Sequence, residues 1–329
     1  MNARRRPFIL ALVSVIGVFA VCEPPANAQN YPARPVKIIM PYAAGGPGDT
    51  MARLIAQKLS EASGGQFYVE NQPGAAGSIG AGAAANAAKD GHTILIANQD
   101  MVIQPIIKAK VPYDVFKSFT AVIEIATAPE TIVVNPSLPA KSMTELFNLL
   151  KANPGKYSYA SPGCGTSPHL ACEWLFKLTY GLDVVHVPFS GGSAPAVIST
   201  LAGQTPILHI ILPAVSPHIK EGTLRPLAVA SRVRSPVIPN VPTLEEAGVP
   251  GHEIAFWIGA FVPSGTPREI VDLLQRRFAA AITHPDVKER LAVLGYDPVA
   301  GTSQEFAAHI KAESDKWRKV VDQAHIKIE

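Results

Sequence analysis

The sequence predicts an α/β fold of two lobes, each a mostly parallel sheet flanked by helices, with a ligand cleft between them. Three observations predict it. Short β-branched runs alternate with helical patterns along the chain, the signature of parallel strands joined by crossover helices. The chain has 329 residues, and the about 300 that follow an apolar leader exceed one usual domain and suffice for two cores. Two stretches marked by proline and glycine, Ala128-Pro129 and Pro250-Gly251, stand where the chain could leave one lobe and return to it.

The elements follow in order. Arg4, Arg5 and Arg6 precede an apolar run from Phe8 to Cys22, and Ala26-Asn27-Ala28 has the small-x-small form of a signal peptidase site. The run falls short of the ~20 residues that cross a bilayer. Cys22 lacks the residues that precede a lipidated cysteine, since Phe19-Ala20-Val21 stands there. The expectation is a signal peptide over 1–28, cleaved after Ala28, and a periplasmic mature chain. Strands are predicted at 36–40, 67–69, 93–97, 131–134, 184–187, 207–211, 227–230 and 259–262, with a further one around Tyr157 to Tyr159. Three helices open on Ser/Thr-x-x-Glu boxes at Ser142, Thr266 and Thr302, and the last carries Phe306, Ile310, Trp317 and Val321 as its buried stripe. The resulting division is lobe 1 over 30–128 plus 254–329 and lobe 2 over 129–253.

Composition excludes some function classes. The formal charge is +3, and the leader's arginines account for much of it. The basic residues are scattered, with no basic stripe interleaved with aromatics, which argues against nucleic acid. Outside the leader two cysteines remain, Cys164 and Cys172, the first in a loop and the second more than a turn inside the next helix. That spacing argues against a disulfide.

Two segments carry the chemistry. Between a strand and a helix lies Pro41-Tyr42-Ala43-Ala44-Gly45-Gly46-Pro47-Gly48-Asp49, a glycine-rich turn that exposes backbone N–H groups at a helix N-terminus and so favours an anion. Asp49 reads as the helix N-cap. A second turn of this kind, Ser161-Pro162-Gly163-Cys164-Gly165-Thr166-Ser167-Pro168, follows the strand near Tyr157, with Ser167 as cap and Pro168 opening the helix. One turn per lobe, facing across the cleft, suits a small molecule with a carboxylate at one or both ends. The predicted ligand-binding residues are Tyr42, Ala43, Ala44, Gly45 and Gly46 on one side and Ser161, Gly163, Gly165, Thr166 and Ser167 on the other. Phe189 joins Tyr42 as an aromatic wall.

Other chemistries fit less well. Ser167 and His169 are two apart on a helix and do not face each other, and no acid is placed to orient the imidazole. A metal set of Cys164, His169 and Cys172 has no standard zinc spacing. Residues 74–82 lack the G-x-G-x-x-G order and a following acidic partner, so the dinucleotide reading fails. No catalytic residue, metal or cofactor is expected.

At these residues the chain resembles the Bug, or TctC-like, family of tripartite tricarboxylate transporter substrate-binding proteins. The likeness runs from Tyr31-Pro32-Ala33-Arg34-Pro35 through Val69-Glu70-Asn71-Gln72-Pro73-Gly74 and Gly165-Thr166-Ser167-Pro168-His169 to Pro263-Ser264-Gly265-Thr266-Pro267. The resemblance implies a type II-like two-lobed periplasmic binding protein. It implies a proximal carboxylate held by residues 42–46 and a distal end held by residues 165–167. It also implies delivery to an inner-membrane permease, with docking on a signalling ectodomain as the alternative and a periplasmic hydrolase as the remotest one, and a monomeric chain. Two departures stand out. Gln204-Thr205-Pro206 replaces a segment where members commonly carry Asp, which favours plain mono- or dicarboxylates, aromatic ones included, over amino acids. Cys164 and Cys172 replace the usual small residues.

Overall fold

The computed structural model describes residues 31–189 and 192–324. The predicted leader, Cys22 and the cleavage point after Ala28 lie outside the described residues. Among the described residues no helix is long and apolar enough to cross a membrane.

The first half begins with three β–α units: β1 (Val36–Met40) and α1 (Pro47–Ser63), β2 (Phe67–Asn71) and α2 (Ser78–Ala85), β3 (Thr93–Asn98) and α3 (Asp100–Ile107). A one-turn α4 (Val115–Ser118) leads into β4 (Phe119–Val134), the longest strand. The second half repeats the β–α alternation after α5 (Met143–Ala152). It comprises β5 (Ser158–Ser161) and α6 (Ser167–Cys172), which continues as a π-helical turn (Glu173–Thr179). Then come β6 (Val185–Pro188) and α7 (Ser193–Leu201), β7 (Ile207–Ile211) and α8 (Leu212–Lys220), and β8 (Arg225–Val229). The chain returns through β9 (Ala255–Pro263) and ends with α9 (Arg268–Thr283), α10 (Pro285–Leu294), β10 (Asp297–Pro298) and α11 (Ser303–Ala324).

All ten strands join one curled mixed sheet in the order β2-β1-β3-β9-β4-β7-β5-β6, with β8 and β10 also paired to β4. β1 runs parallel to β2 and β3, and β5 runs parallel to β6 and β7, as βα units require. The two long strands are antiparallel to their neighbours. β4 pairs with β9 from Phe119 to Pro129 and with β7 from Glu130 to Val134, so its partner changes at one peptide. Pro129, which has no N–H to give a ladder, stands at that change. The sequence predicts only 131–134 as strand there, because Ala128-Pro129 reads as a break. The proline is accommodated because partner exchange leaves a position that needs no donor.

Helix starts differ from expectation at three places. α1 begins at Pro47 with Gly46 as its N-cap, so Asp49 is not the cap but lies in the first turn. Proline's preset φ makes Pro47 the natural first residue. α6 begins at Ser167 with Thr166 as N-cap, one residue earlier than predicted. Thr266 does not cap α9: its hydroxyl donates to Pro263 O at 2.8 Å, and Pro267 takes the cap position. The other two caps form, with Ser142 accepting from Glu145 N at 3.1 Å and Thr302 accepting from Glu305 N at 3.2 Å; Glu305 completes the box by accepting Thr302 N, whereas Glu145 accepts Lys141 N.

The apolar positions close two main cores. One lies under α1 and α9, with Ile38, Met40, Ile55, Leu59, Leu274 and Phe278 fully covered, and runs on into the second half through Leu208 and Val215. The other lies under α5 and α6, with Leu146, Leu150, Tyr159, Phe176 and Leu182. Trp317, Val320 and Val321 of α11 and Ile103 of α3 belong to this second core, so these two helices tie the halves together. Phe306, Ile310, Trp317 and Val321 are all buried.

Candidate functional site

A cleft of about 390 Å³ opens at the carboxyl ends of the parallel strands of both halves. Open α/β sheets leave such a crevice there, because each strand ends in a turn that starts a helix. The walls are successive βα turns: residues 41–44 and 46–49 after β1, 73–77 after β2, 98–100 after β3, and 162–164 and 166–168 after β5. Gly192, Ser193 and Ala194 open α7, and Ile210, Ile211, Phe256 and Ile258 form an apolar floor. The N-termini of α1, α3, α6 and α7 therefore converge on one volume from both sheet halves, each bringing partial positive charge, although the first amides of α3 and α6 are already given to Asn98 and Asp100.

The first turn is held from below. Asp49 is buried, and its carboxylate accepts from Gly45 N (2.9 Å), Asn71 Nδ2 (2.9 Å) and Arg53 Nε (3.0 Å). Burial opposes ionisation of Asp49, yet hydrogen bonds from Arg53, Gly45 and Asn71 together outweigh it and hold the carboxyl below its ordinary range. Asn71 Nδ2 also donates to Tyr42 O at 3.0 Å. Tyr42 donates its hydroxyl to Asn98 Oδ1, which also accepts Asp100 N at 2.9 Å, so the turns after β1 and β3 are coupled. Burial raises the Tyr42 phenol well above its ordinary value, so it stays a neutral donor.

The second turn is held by histidines. Gly163 and Gly165 have φ of 143° and 76°, a backbone region that side chains with a Cβ rarely adopt. Gly165 N donates to His169 Nδ1 at 3.0 Å, and Gly165 O accepts from Gln104 Nε2 at 2.8 Å. Ser161 Oγ lies 2.7 Å from His186 Nε2, and the rings of His169 and His186 stack at 4.0 Å. Burial lowers His169 to about 4 and His186 to about 3, so both rings are neutral and Nδ1 of His169 is free to accept.

A buried polar junction forms the back of the cleft. Gln99 Nε2 donates to Ser167 Oγ at 2.8 Å and to Glu130 Oε1 at 3.3 Å, while its Oε1 accepts Trp257 N at 3.1 Å. Ser167 Oγ donates to Glu130 Oε1, and Ser167 N donates to Asp100 Oδ1 at 3.0 Å. Burial raises Asp100 to about 7 and Glu130 to about 8. His209 Nε2 lies 3.4 Å from Glu130 Oε2 with no hydrogen bond formed, and burial lowers His209 to about 3. Both groups are thus neutral near pH 7.

Of the residues predicted to bind, Tyr42, Ala43, Ala44, Gly46, Gly163, Thr166 and Ser167 line the cleft. Gly45, Ser161, Gly165 and Phe189 are not among its lining residues: the first and third give their N–H groups to Asp49 and His169, and Ser161 is buried against His186. Ser167 lines the wall, but its hydroxyl and amide are both already donated within the protein. Ser167 and His169 have no contact of nucleophile with base. Cys164 is an exposed free thiol and Cys172 a buried one, and no metal-ligand cluster forms among the described residues.

Sequence reasoning missed the turn after β2. Ala75 and Ala76, at φ of 50° and 52°, are the non-glycine residues with left-handed backbone, and both line the cleft. That conformation costs an L-residue roughly 1–2 kcal/mol, so two in succession concentrate strain at the site. Its place after a strand and before a helix was the available signal. Asn98, Gln99, Asp100 and Lys108 were missed because no local motif marks them.

The sequence from 51 to 326 matches the family model described as the tripartite tricarboxylate transporter family receptor, TctC. The chain belongs to this family. A TctC receptor is a solute-binding protein of the periplasm, not an enzyme. Similar solved structures include an R. palustris protein with adipate, 35% identical at a TM-score of 0.86, which covers 90% of this chain and 99% of that one. MatC from Rhodopseudomonas palustris with bound malate is 32% identical at a TM-score of 0.83, over 88% of this chain and 100% of that one. The periplasmic binding protein BugD is 30% identical at a TM-score of 0.85, over 91% and 100%. As a TctC receptor the chain shares with them a curled mixed sheet and flanking helices around a cleft.

Proposed function

We propose that this chain binds a small organic carboxylate in the cleft between two lobes, 30–128 plus 254–329 and 129–253, and delivers it to a membrane permease. The observation that carries the reading is the convergence of helix N-termini from both sheet halves on one cleft of about 390 Å³. Adipate and malate in two relatives support the substrate class, and the family description supports a transporter as the partner. The turn at 42–46, with the first amides of α1, takes the proximal carboxylate. The turn at 163–167 closes over the other end.

The magnitudes set how the ligand is held. One helix N-terminus contributes about 0.3–1 kcal/mol, up to ~2 when partly buried, and micromolar binding needs about 8. Several converging termini, direct hydrogen bonds and the apolar floor of Ile210, Ile211, Phe256 and Ile258 together supply the remainder. The mature chain, cleaved after Ala28, acts as a monomer in the periplasm, which N-terminal sequencing and light scattering of the exported protein would check.

The test is a thermal-shift screen of the mature protein against mono-, di- and tricarboxylates and amino acids. A ligand bound only by the folded state raises the melting temperature. A rise with one carboxylate class is expected. No rise with any, together with no carboxylate in mass spectra of the denatured protein, would overturn the reading.

A further inference from the structure

The second turn leaves an anion with few donors of its own. Gly165 N is taken by His169 Nδ1, Ser167 N by Asp100 Oδ1, and Ser167 Oγ by Glu130. What the second turn itself presents to the cleft is Gly163, Cys164 and Thr166, whose hydroxyl donates to Gly163 O at 2.8 Å, with Gly192, Ser193 and Ala194 at the start of α7 beside it. At the C-terminal end of α3, by the turn after β2, stands Lys108. It is the cationic side chain among the described residues lining the cleft, whose acidic members are Asp49 and Asp100.

Lys108 is half-buried and has no carboxylate within ion-pair distance among the described residues. Its ammonium makes one long hydrogen bond, 3.4 Å to Ala75 O, on the strained turn after β2. An ammonium on a cleft wall with a single long protein acceptor has hydrogen bonds left to give, and a carboxylate supplies both the acceptors and the opposite charge. Gln104, one turn earlier on α3, donates to Gly165 O at 2.8 Å, which holds this part of the helix against the second turn. Asp49 is already satisfied by Arg53, Gly45 and Asn71 and does not compete for it.

We propose that Lys108 is the specificity-determining residue that pairs with a second acidic group of the ligand, so that this chain selects dianionic carboxylates over monoanionic ones. The inference rests on the carboxylate-binding reading above and assigns its charge class. The helix N-termini recognise one carboxylate whatever the rest of the molecule, whereas Lys108 rewards only a ligand with acids at both ends.

The probes are α,ω-dicarboxylates of four to eight carbons and the benzenedicarboxylates, each beside its monomethyl ester. Affinities for both members of each pair are measured by calorimetry with wild type, Lys108→Gln and Lys108→Glu, all first shown to unfold cooperatively without ligand. Wild type is expected to prefer the best diacid over its ester by about tenfold to a hundredfold, the worth of a charge-assisted hydrogen bond. Lys108→Gln brings the pair within about threefold, chiefly by weakening the diacid, and Lys108→Glu favours the ester. Equal binding of diacid and ester by wild type, or a preference that survives in Lys108→Gln, overturns the inference and leaves carboxylate binding standing. Binding of neither member of any pair by wild type overturns the carboxylate reading and this inference with it.

Discussion

The junction at the back of the cleft predicts a specific cost for replacing Gln99 by leucine, a change that keeps the volume and removes the polar atoms. Gln99 is 1% exposed, so nothing in solvent replaces what it loses. Trp257 N, which donates to Gln99 Oε1 at 3.1 Å, is left without that acceptor. An orphaned buried N–H costs about 1–3 kcal/mol, and the lost bond to Ser167 at 2.8 Å contributes about 1 more. The sum, about 2–4 kcal/mol, is a large part of the 5–15 kcal/mol that folded domains usually have. Urea unfolding of the mature protein reads it as a lowered midpoint at unchanged slope. The network claim is tested by the cycle with Ser167→Ala, because both residues bond Glu130 Oε1. Coupling above about 0.5 kcal/mol is expected of residues that share a partner. A loss for Gln99→Leu under about 0.5 kcal/mol, or strict additivity with Ser167→Ala, would refute the reasoning.

Three further outcomes are expected. Stability has its maximum near pH 6.5. Asp100 and Glu130, raised to about 7 and 8, hold protons in the fold that the unfolded chain releases, so their contribution is present at low pH and lost as pH rises through those values. His169, His186 and His209, lowered to about 4, 3 and 3, refuse protons that the unfolded chain takes below its ordinary value, so stability is lost on that side as pH falls. Unfolding free energy at pH 8 should lie about 1 kcal/mol below the maximum, and a steady rise from pH 5 to 8 contradicts the assignment. Gly80→Ala places a Cβ 2.8 Å from Gln72 O and 2.9 Å from Pro41 Cα, backbone that cannot swing away. It should cost about 1–3 kcal/mol and weaken ligand binding through the Pro41 turn, and a wild-type melting temperature would show that α2 moves freely. In the mature protein Cys164 should react with Ellman's reagent while Cys172 stays silent until unfolding. A ligand that stabilises the fold should slow Cys164, because Cys164 lines the cleft, and equal rates with and without that ligand would place binding elsewhere.

How much of this was legible in the sequence follows from the range of the forces involved. The parallel strands β1, β3 and β7 and the caps at Ser142 and Thr302 follow from neighbours within a few residues, and local patterns record them. The turns after β1 and β5 carry glycines where a chain passes from strand to helix, so they too can be read. β4 could not be read whole: its continuation through Pro129 depends on β9 and β7, which lie about a hundred residues later in the chain and take over from each other at that point. The junction of Gln99, Asp100, Glu130 and Ser167 is of the same kind. Its members stand on β4 and on the turns after β3 and β5, and each alone is an ordinary polar residue without spacing or motif. They become costly, and therefore specific, only when two sheet halves bury them against one another at the one peptide where β4 changes partners. That location joins fold to function: the bonds that fix the back wall are also the bonds that occupy Ser167 and its amide. A ligand's second acid is then left to the charge at the end of α3, which turns attention from the glycine turns to Lys108.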